Sequence, residues 1–491
     1  MIGDDSSGKS RSAAAWMVAG ITIAVFLPAV FNDFVDWDDV TFIVGNPRFN
    51  PPTLETVRYY WTHAGGILYI PGSFTLWAGL ARIGYVQNAD AMGSRLNPYI
   101  FHLASVLLHL ASTMAVFAIL CRLVGKTWPA AAGALLFAVH PLQVEPVAFI
   151  VAMNAPLAGA FALTAIWLYL RGERRSYLLA SALLLIALLC KPTAMITPAL
   201  ALLLDLAGGR RPVRAAVMRS LPWFVLVIPC LIWTKVFQSG APAAVAQPLW
   251  TRPLIAGDTL AFYLWKLLVP HPMGIDYGRT PQFVLQHFWS RLTWIFPALL
   301  LMIAWLGRKR RPLMAAGAAL YLIAVLPNAG FVSFDYQKFS TVADRYLYFS
   351  MLGAALVLAA MMVEFNRSMV WAAVITILLT CIVLSEIQIR TWRNGETLFR
   401  NAIAVNPRSW MSYANLANIV ADRAPEEAIE YCHRALEIEP DDGGSWNNLG
   451  SALMNEGESA AAVDAFAHAH QLAPDNLVFS DNYQRAVRAV R

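Results

Sequence analysis

The chain has 491 residues, of which 58% are apolar and only 14% charged, with a net charge of +6. So greasy a composition excludes an ordinary soluble globule and reads as a multi-span membrane protein. The basic residues fall in short clusters between apolar runs, which points to membrane topology and excludes a nucleic-acid-binding face.

From the N-terminus, residues 1–12 read as a cytoplasmic tail. Gly3 to Ser10, GDDSSGKS, fits the P-loop pattern letter for letter. A nucleotide site needs a buried strand before that loop and a helix over a sheet after it, whereas a membrane span follows here. Residues 13–31 are long enough to cross the hydrocarbon layer, and no small-residue cleavage site follows, so a retained span is expected. Further crossing or near-crossing stretches lie at 97–120, 129–145, 149–170, 176–190, 192–207, 220–237, 291–306, 313–330, 346–363 and 369–388, about eleven in all. Arginine and lysine mark alternate connections: Lys9 and Arg11; Arg122 and Lys126; Arg171, Arg174 and Arg175; Arg210, Arg211, Arg214 and Arg219; Arg308 to Arg311; Arg367. The positive-inside rule then puts the N-terminus in the cytoplasm and everything past residue 389 outside. Residues 257–270 would break that alternation as a span and are expected to form an interfacial or re-entrant helix. The five cysteines (121, 190, 230, 381 and 432) form no CxxC pair and read as small core residues.

The same alternation puts a set of ionisable residues on the extracytoplasmic side. Residues 33–42, DFVDWDDVTF, hold Asp33, Asp36, Asp38 and Asp39 in a first outer loop running from 32 to 96. The HPLQVEP turn brings His140 and Glu145, the CKPT break brings Lys191, and DYQKFSTVADRY brings Lys338, Asp344 and Arg345. Ionisable groups in or beside spans are costly and usually functional, although a lysine at a helix end often only snorkels and Asp344 has Arg345 as an obvious neighbour.

From residue 391 the pattern changes to helical hairpins. Trp446, Leu449, Gly450, Leu453, Ala462, Phe466, Ala469 and Pro474 match the tetratricopeptide pattern; Tyr413, Leu416, Ala417, Ala428, Ala435 and Pro440 form an earlier copy. Phe399, Ala402 and Pro407 look like half of another, and a helix near 477–490 is expected to cap the stack. Such a stack binds peptides or protein partners, or else braces the membrane part.

Together these stretches resemble the transmembrane-and-tetratricopeptide-repeat glycosyltransferases, polytopic enzymes of the GT-C type. The resemblance rests on DFVDWDD with GNPRFN, FHLASVLLHL, AGALLFAVHPLQVEPVAFI, LLCKPTAMITPALALLLDL, ADRYLYFSMLGAALVLA and ETLFRNAIAVNP, in the family's order. It implies an all-α fold: a GT-C membrane bundle of residues 13–390 followed by an extracytoplasmic α-solenoid of residues 391–491. It further implies transfer of a sugar from a polyprenyl-phosphate carrier to a hydroxyl acceptor, a Ser or Thr of protein, with inversion. The compact Ala- and Arg-rich sequence looks like a bacterial member, placed in the inner membrane with its repeats in the periplasm. The family's outer-loop aspartates match Asp38 and Asp39, the expected general base, a pair also suited to a divalent metal such as Mg or Mn. Lys191, Arg345 and His140 are expected at the donor phosphate, with Glu145, Lys338 and Asp344 in support. The expected partners are that donor, a protein or peptide acceptor held by the repeats, and membrane lipids. In two places the chain departs from the family, with Met153, Asn154 and Ala155 replacing a basic-polar patch and Ile70 replacing arginine. Either could change the sugar. A membrane scaffold without catalysis, and a glycolipid flippase or polymer ligase, are the alternatives.

Overall fold

The computed structural model describes residues 8–66, 68–89, 93–209, 211–237 and 247–490. Among them the fold is all-α, with isolated bridge contacts and no β-strand. Gly3 to Ser7 of the P-loop-like stretch and Arg210 lie outside the described residues. Gly8, Lys9 and Ser10 open the helix Gly8–Phe26, so helix begins inside the stretch expected as tail.

Each of the eleven apolar stretches is helical. Among the described residues, six helices are long and apolar enough to cross a membrane: Gly8–Phe31, Pro98–Val124, Val151–Arg171, Val213–Phe237, Ser290–Gly307 and Ser368–Thr391. Thr127–Val139 and Pro141–Ala148 make a seventh if counted as one span bent by 55°. The cause of that bend is local, because Pro141 has no N–H to give the helix and disfavours helical backbone at His140 before it. Arg174–Cys190, Pro192–Ala207, Pro312–Asn328 and Met351–Glu364 are shorter. The chain is a multi-pass membrane protein, and it wears the matching surface: Leu299, Ile303, Trp305, Ile375, Leu379 and Val383 are all more than 40% exposed, a cover that suits lipid. Inside the bundle, small residues let backbones meet. A Cβ on Gly317 would lie 2.8 Å from the Gly353 carbonyl oxygen, so the helices carrying them pack at backbone contact.

The described chain divides into two compact units. The membrane unit comprises residues 1–34, 38–271 and 279–392, and the second unit comprises 35–37, 272–278 and 393–491. In the membrane unit the stretch 257–270 belongs to a helix, Arg252–Leu268, that starts five residues earlier than its expected bound. The second unit contains the helix Gly395–Val405, the hairpins Trp410–Val420 with Pro425–Ile438 and Gly443–Glu456 with Ser459–Leu472, and the closing helix Leu477–Val490. Its core is made of the repeat positions: Leu416, Ala417, Ala428, Ala435, Leu449, Ala462, Phe466 and Ala469 are buried. Gly450 is required because the Phe466 ring sits 2.7 Å from where its Cβ would be. Asn448 and Asn455 donate to the carbonyls of Ala414 and Ala421 at 2.9 and 3.1 Å, each 34 residues back, which sets the repeat stagger with side chains as well as packing.

Two short segments that the sequence assigns to the membrane part fold with the repeats. In the first, Pro272–Gly278, Met273 and Ile275 are buried, Asn401 donates to the Met273 carbonyl at 2.8 Å, and Asn406 donates to Asp276 at 3.1 Å. Gly274 lies against Val405 so closely that a Cβ would sit 3.1 Å from its Cβ. The second is Val35–Trp37, directly before the aspartate pair.

Candidate functional site

The loop after the first span is short of regular structure for a local reason. Leu27–Phe31 tightens into a 3₁₀ turn that carries Pro28, and the chain then runs extended to residue 35. Helix resumes at Asp38 and Asp39 and widens to a π turn over Val40–Val44. The two aspartates have different surroundings. Asp39 is 1% exposed, and its Oδ1 accepts the Val151 N–H at 3.0 Å, just before the helix Asn154–Arg171. Asp38 is half-buried and bonds in no such way to backbone; it lies in the field of Arg345 and Lys338, which attract its charge, and of Asp335, which repels it. Burial is the largest influence and pushes its carboxyl above the ordinary carboxylate range despite the two cations.

Arg345 is held from several directions. Its backbone N–H donates to Glu145 Oε2 at 3.1 Å, and its guanidinium is ion-paired with Glu145 Oε1. The guanidinium carbon lies 4.4 Å from the centre of the Tyr336 ring and 5.1 Å from that of Tyr346. The turn that presents it is pinned by Tyr263, whose hydroxyl donates to the Ala343 carbonyl and accepts the Ala343 N–H, both at 3.0 Å. Glu145 is 2% exposed and Arg345 keeps 12% of its side chain open, so the pair is buried on the carboxylate side and accessible on the cation side. Lys191, which ends the helix Arg174–Cys190, is half-buried and lies in the field of both members of that pair. Its chain neighbours Leu188, Leu189 and Pro192 line a partly open apolar cavity of about 450 Å³ together with Leu68, Tyr69, Val225 and Trp233.

Arg345 therefore lies within electrostatic reach of Asp38, Glu145 and Lys191, and Asp38 within reach of Lys338 as well, bringing together four distant parts of the sequence. His140 does not join them as an anion donor. Its Nδ1 accepts the Leu142 N–H at 3.3 Å, so its proton sits on Nε2, 3.2 Å from the Leu267 carbonyl, and no donor is left for a phosphate. Asp344 is buried and lies in the field of Lys266, a lysine of the helix Arg252–Leu268 that is 4% exposed. Lys338 pairs with Asp335 at 3.3 Å. Asp39 gives its Oδ1 to a backbone amide, and among the described residues no group of three or more His, Cys, Asp or Glu is placed to hold an ion. At the two departures from the family pattern, Ile70 and Met153 are buried, and Asn154 keeps a buried Oδ1 without a partner.

Tyr263, Tyr336, Lys266 and Gln143 are the site's neighbours that sequence reasoning missed. Gln143 is fully buried and neither amide atom has a hydrogen-bond partner. Its position between His140 and Glu145 in the HPLQVEP turn was the one available signal.

The tetratricopeptide repeat family matches residues 443–476. Over 93% of its length the chain is 24% identical to the protein O-mannosyl-transferase TMTC3 of Homo sapiens, covering 55% of that protein. It is 25% identical to TMTC1 of Homo sapiens over 92% of the chain and 58% of the relative, and 29% identical to Tmtc2 of Drosophila melanogaster over 58% and 33%. The chain thus spans about half the length of the curated relatives it matches along most of its length. Among solved structures, ArnT from Cupriavidus metallidurans bound to undecaprenyl phosphate aligns with 92% of this chain and 79% of its own, at 13% identity and a TM-score of 0.35, too distant to equate residues. Along nearly its whole length, then, the chain resembles the transmembrane-and-tetratricopeptide-repeat glycosyltransferases, and its second unit carries a tetratricopeptide repeat.

Proposed function

We propose that this protein is a membrane glycosyltransferase that moves a sugar from a polyprenyl-phosphate carrier to the hydroxyl of a Ser or Thr in a protein. The reading is carried by one observation: a carboxylate with a raised proton affinity, Asp38, stands in the field of a rigidly held guanidinium, and a lysine in the same field has chain neighbours that line an apolar cavity. The names of the relatives, protein O-mannosyl-transferases, support it independently.

In this mechanism Asp38 accepts the proton of the acceptor hydroxyl while its oxygen bonds to the anomeric carbon and the bond from that carbon to the phosphate oxygen breaks. A Ser or Thr hydroxyl is too weak an acid to react well unaided, and a general base typically contributes a hundredfold or more in rate, about 10² to 10⁴. The departing polyprenyl phosphate gains negative charge, which Arg345 and Lys191 neutralise; the leaving group needs no proton from His140. Glu145, Tyr336 and Tyr346 hold the guanidinium so that it need not reorganise as charge develops. The cavity beside Lys191 takes the first prenyl units. Attack opposite the leaving phosphate inverts the anomeric centre.

The test is transfer by the full chain in lipid nanodiscs, with a polyprenyl-phosphate-linked sugar and a Ser/Thr peptide. Wild-type protein should glycosylate the peptide and Arg345→Ala should weaken donor binding. Donor affinity unchanged by Arg345→Ala, or peptide unmodified with every donor sugar supplied to well-folded protein, would sink the reading.

A further inference from the structure

We propose that the membrane unit holds the phosphate of an anionic phospholipid between Arg211 and Arg219, where the helix Asn154–Arg171 finishes. The site stands apart from the proposed reaction. Lys191 closes the helix that Arg174 opens, and its 17 residues put about 25 Å between those two ends.

Four arginines from three parts of the chain converge there. Arg122 donates to the Leu170 and Arg171 carbonyls at 3.0 and 3.3 Å, and Arg219 donates to the Tyr169 carbonyl at 3.4 Å. Capping accounts for Arg122, since cations suit the negative end of a helix. It does not account for Arg219. Arg211 donates to both oxygens of the buried Asp205 at 2.7 and 2.9 Å, and Arg171 pairs with Glu173 at 3.3 Å. Among the described residues Arg219 pairs with no carboxylate, its Nε is buried without a hydrogen-bond partner, and it lies in the field of Arg211, a like charge. Two carboxylates for four guanidiniums leave a net positive charge that a phosphate would balance.

The place is shaped as well as charged. The Arg219 guanidinium carbon lies 5.1 Å from the centre of the Tyr169 ring and 4.6 Å from that of Tyr177, whose hydroxyl donates to the Arg219 carbonyl at 3.0 Å. Trp223 completes this aromatic floor, its ring 4.9 Å from that of Tyr169 and its N–H donating to the Ser181 hydroxyl at 2.8 Å. Arg211 is set by Gly172, which has a φ of 92° and where a Cβ would lie 2.5 Å from Arg211 Nη2. Two guanidiniums fixed in this way suit a phosphate, whose oxygens match the planar fork of donors. The surroundings decide for a lipid over a soluble phosphate. Beside the arginines, Leu178 and Leu179 on Arg174–Cys190, and Met218, Leu221 and Val225 on Val213–Phe237, are each at least 50% exposed. Tyrosine and tryptophan mark the headgroup level of a bilayer, and basic pockets between spans at that level bind anionic headgroups. A phospholipid places its charge on the arginines and its tails on these apolar side chains; a free phosphate gains the first contact alone.

The experiment uses the full chain in uncharged detergent micelles, with native mass spectrometry counting bound copies as short-chain phosphatidylglycerol, phosphatidylcholine or glycerol 3-phosphate is titrated. Wild type should take one copy of phosphatidylglycerol about tenfold or more tightly than phosphatidylcholine. Arg219→Gln should lose that preference and Arg219→Lys should keep part of it, since lysine retains the charge without the fork. Arg308→Gln removes the same charge from another basic cluster, where Arg308 rests on the Trp305 ring, and should bind as wild type does. Arg211 is left intact because its loss would strand the buried Asp205. Should Arg219→Gln not fold, a photoactivatable phosphatidylglycerol on the wild-type chain decides instead, with labels expected within 167–181 and 209–223; labels confined to other segments overturn the proposal. Equal affinity for the two lipids overturns it by removing recognition of charge. Equal loss in Arg219→Gln and Arg308→Gln overturns it by reducing the site to attraction by net charge. Glycerol 3-phosphate that displaces the lipid at equal concentration overturns the lipid as the occupant.

Discussion

Asp38 and Asp39 are neighbours of the same type, yet their environments make different demands on a substitution. Asp39 satisfies a buried backbone N–H, so Asp39→Ala should cost about 1–3 kcal/mol of stability, while Asp39→Asn, which keeps an acceptor oxygen, should retain most transfer. Asp38→Asn should abolish transfer, a loss of about a hundredfold or more, in protein that inserts and folds. Paired thermal-melt and turnover measurements on these three variants check the division; equal loss of turnover in Asp38→Asn and Asp39→Asn would contradict it. The same residue sets a pH dependence. The Asp38 carboxyl is raised in the folded state, mainly by burial, so the acid limb of kcat/KM should fall above the ordinary carboxylate range. For stability the sign is the opposite of a salt-bridged aspartate: the folded state holds this proton more tightly than the unfolded chain. That contribution is present at low pH and lost as pH rises through the raised value. Asp38→Asn should then melt no lower than wild type at neutral pH and gain relative to it as pH rises from the acid range, which a series of melts would reveal.

At the scale of elements, the site depends on turns that interrupt helices. The 55° bend at Pro141 delivers Glu145 to Arg345, and the end of Arg174–Cys190 delivers Lys191. Glu145→Ala would strand a guanidinium that is largely buried, and breaking such a pair costs about 3–5 kcal/mol; a lower melting temperature together with weaker donor binding is expected, the second because Arg345 loses its orientation. Restored donor affinity in the double variant Glu145→Ala, Arg345→Ala would argue against that assignment. The Pro272–Gly278 segment is an element of another kind, a strap bonded to the helix Gly395–Val405 and to Asn406 that caps it. Asp276 there accepts from Gly278 N–H at 2.7 Å and from Asn406, and burial raises its carboxyl. Asn406→Ala should cost about 1 kcal/mol and loosen the strap, read as faster proteolysis near Met273 with the repeats still helical.

For the whole molecule, the topology expected from the arginine clusters gives a direct test. Reporters fused after residue 391 should be active outside the cytoplasm and those at Lys309 inside; a cytoplasmic repeat unit would separate acceptor from base and end the mechanism as drawn. The sequence by itself determined the helical class, the eleven apolar stretches and the repeats, because each is written in local periodicity: apolar runs matched to a bilayer, and small residues at Ala428, Gly450 and Ala462 where helices must touch. It also drew attention to Asp38, Glu145, Lys191 and Arg345, since ionisable residues stand out against so apolar a background. Which of them act together was not written locally. That Glu145 takes Arg345 from a partner 200 residues away, that His140 spends both nitrogens on backbone, that Asp344 lies in the field of Lys266 and that Asp36 belongs with a helix starting at Gly395 are long-range pairings. The physical reason is that a buried polar group takes whichever partner packing brings within about 3 Å, and composition and periodicity along the chain carry no record of that choice.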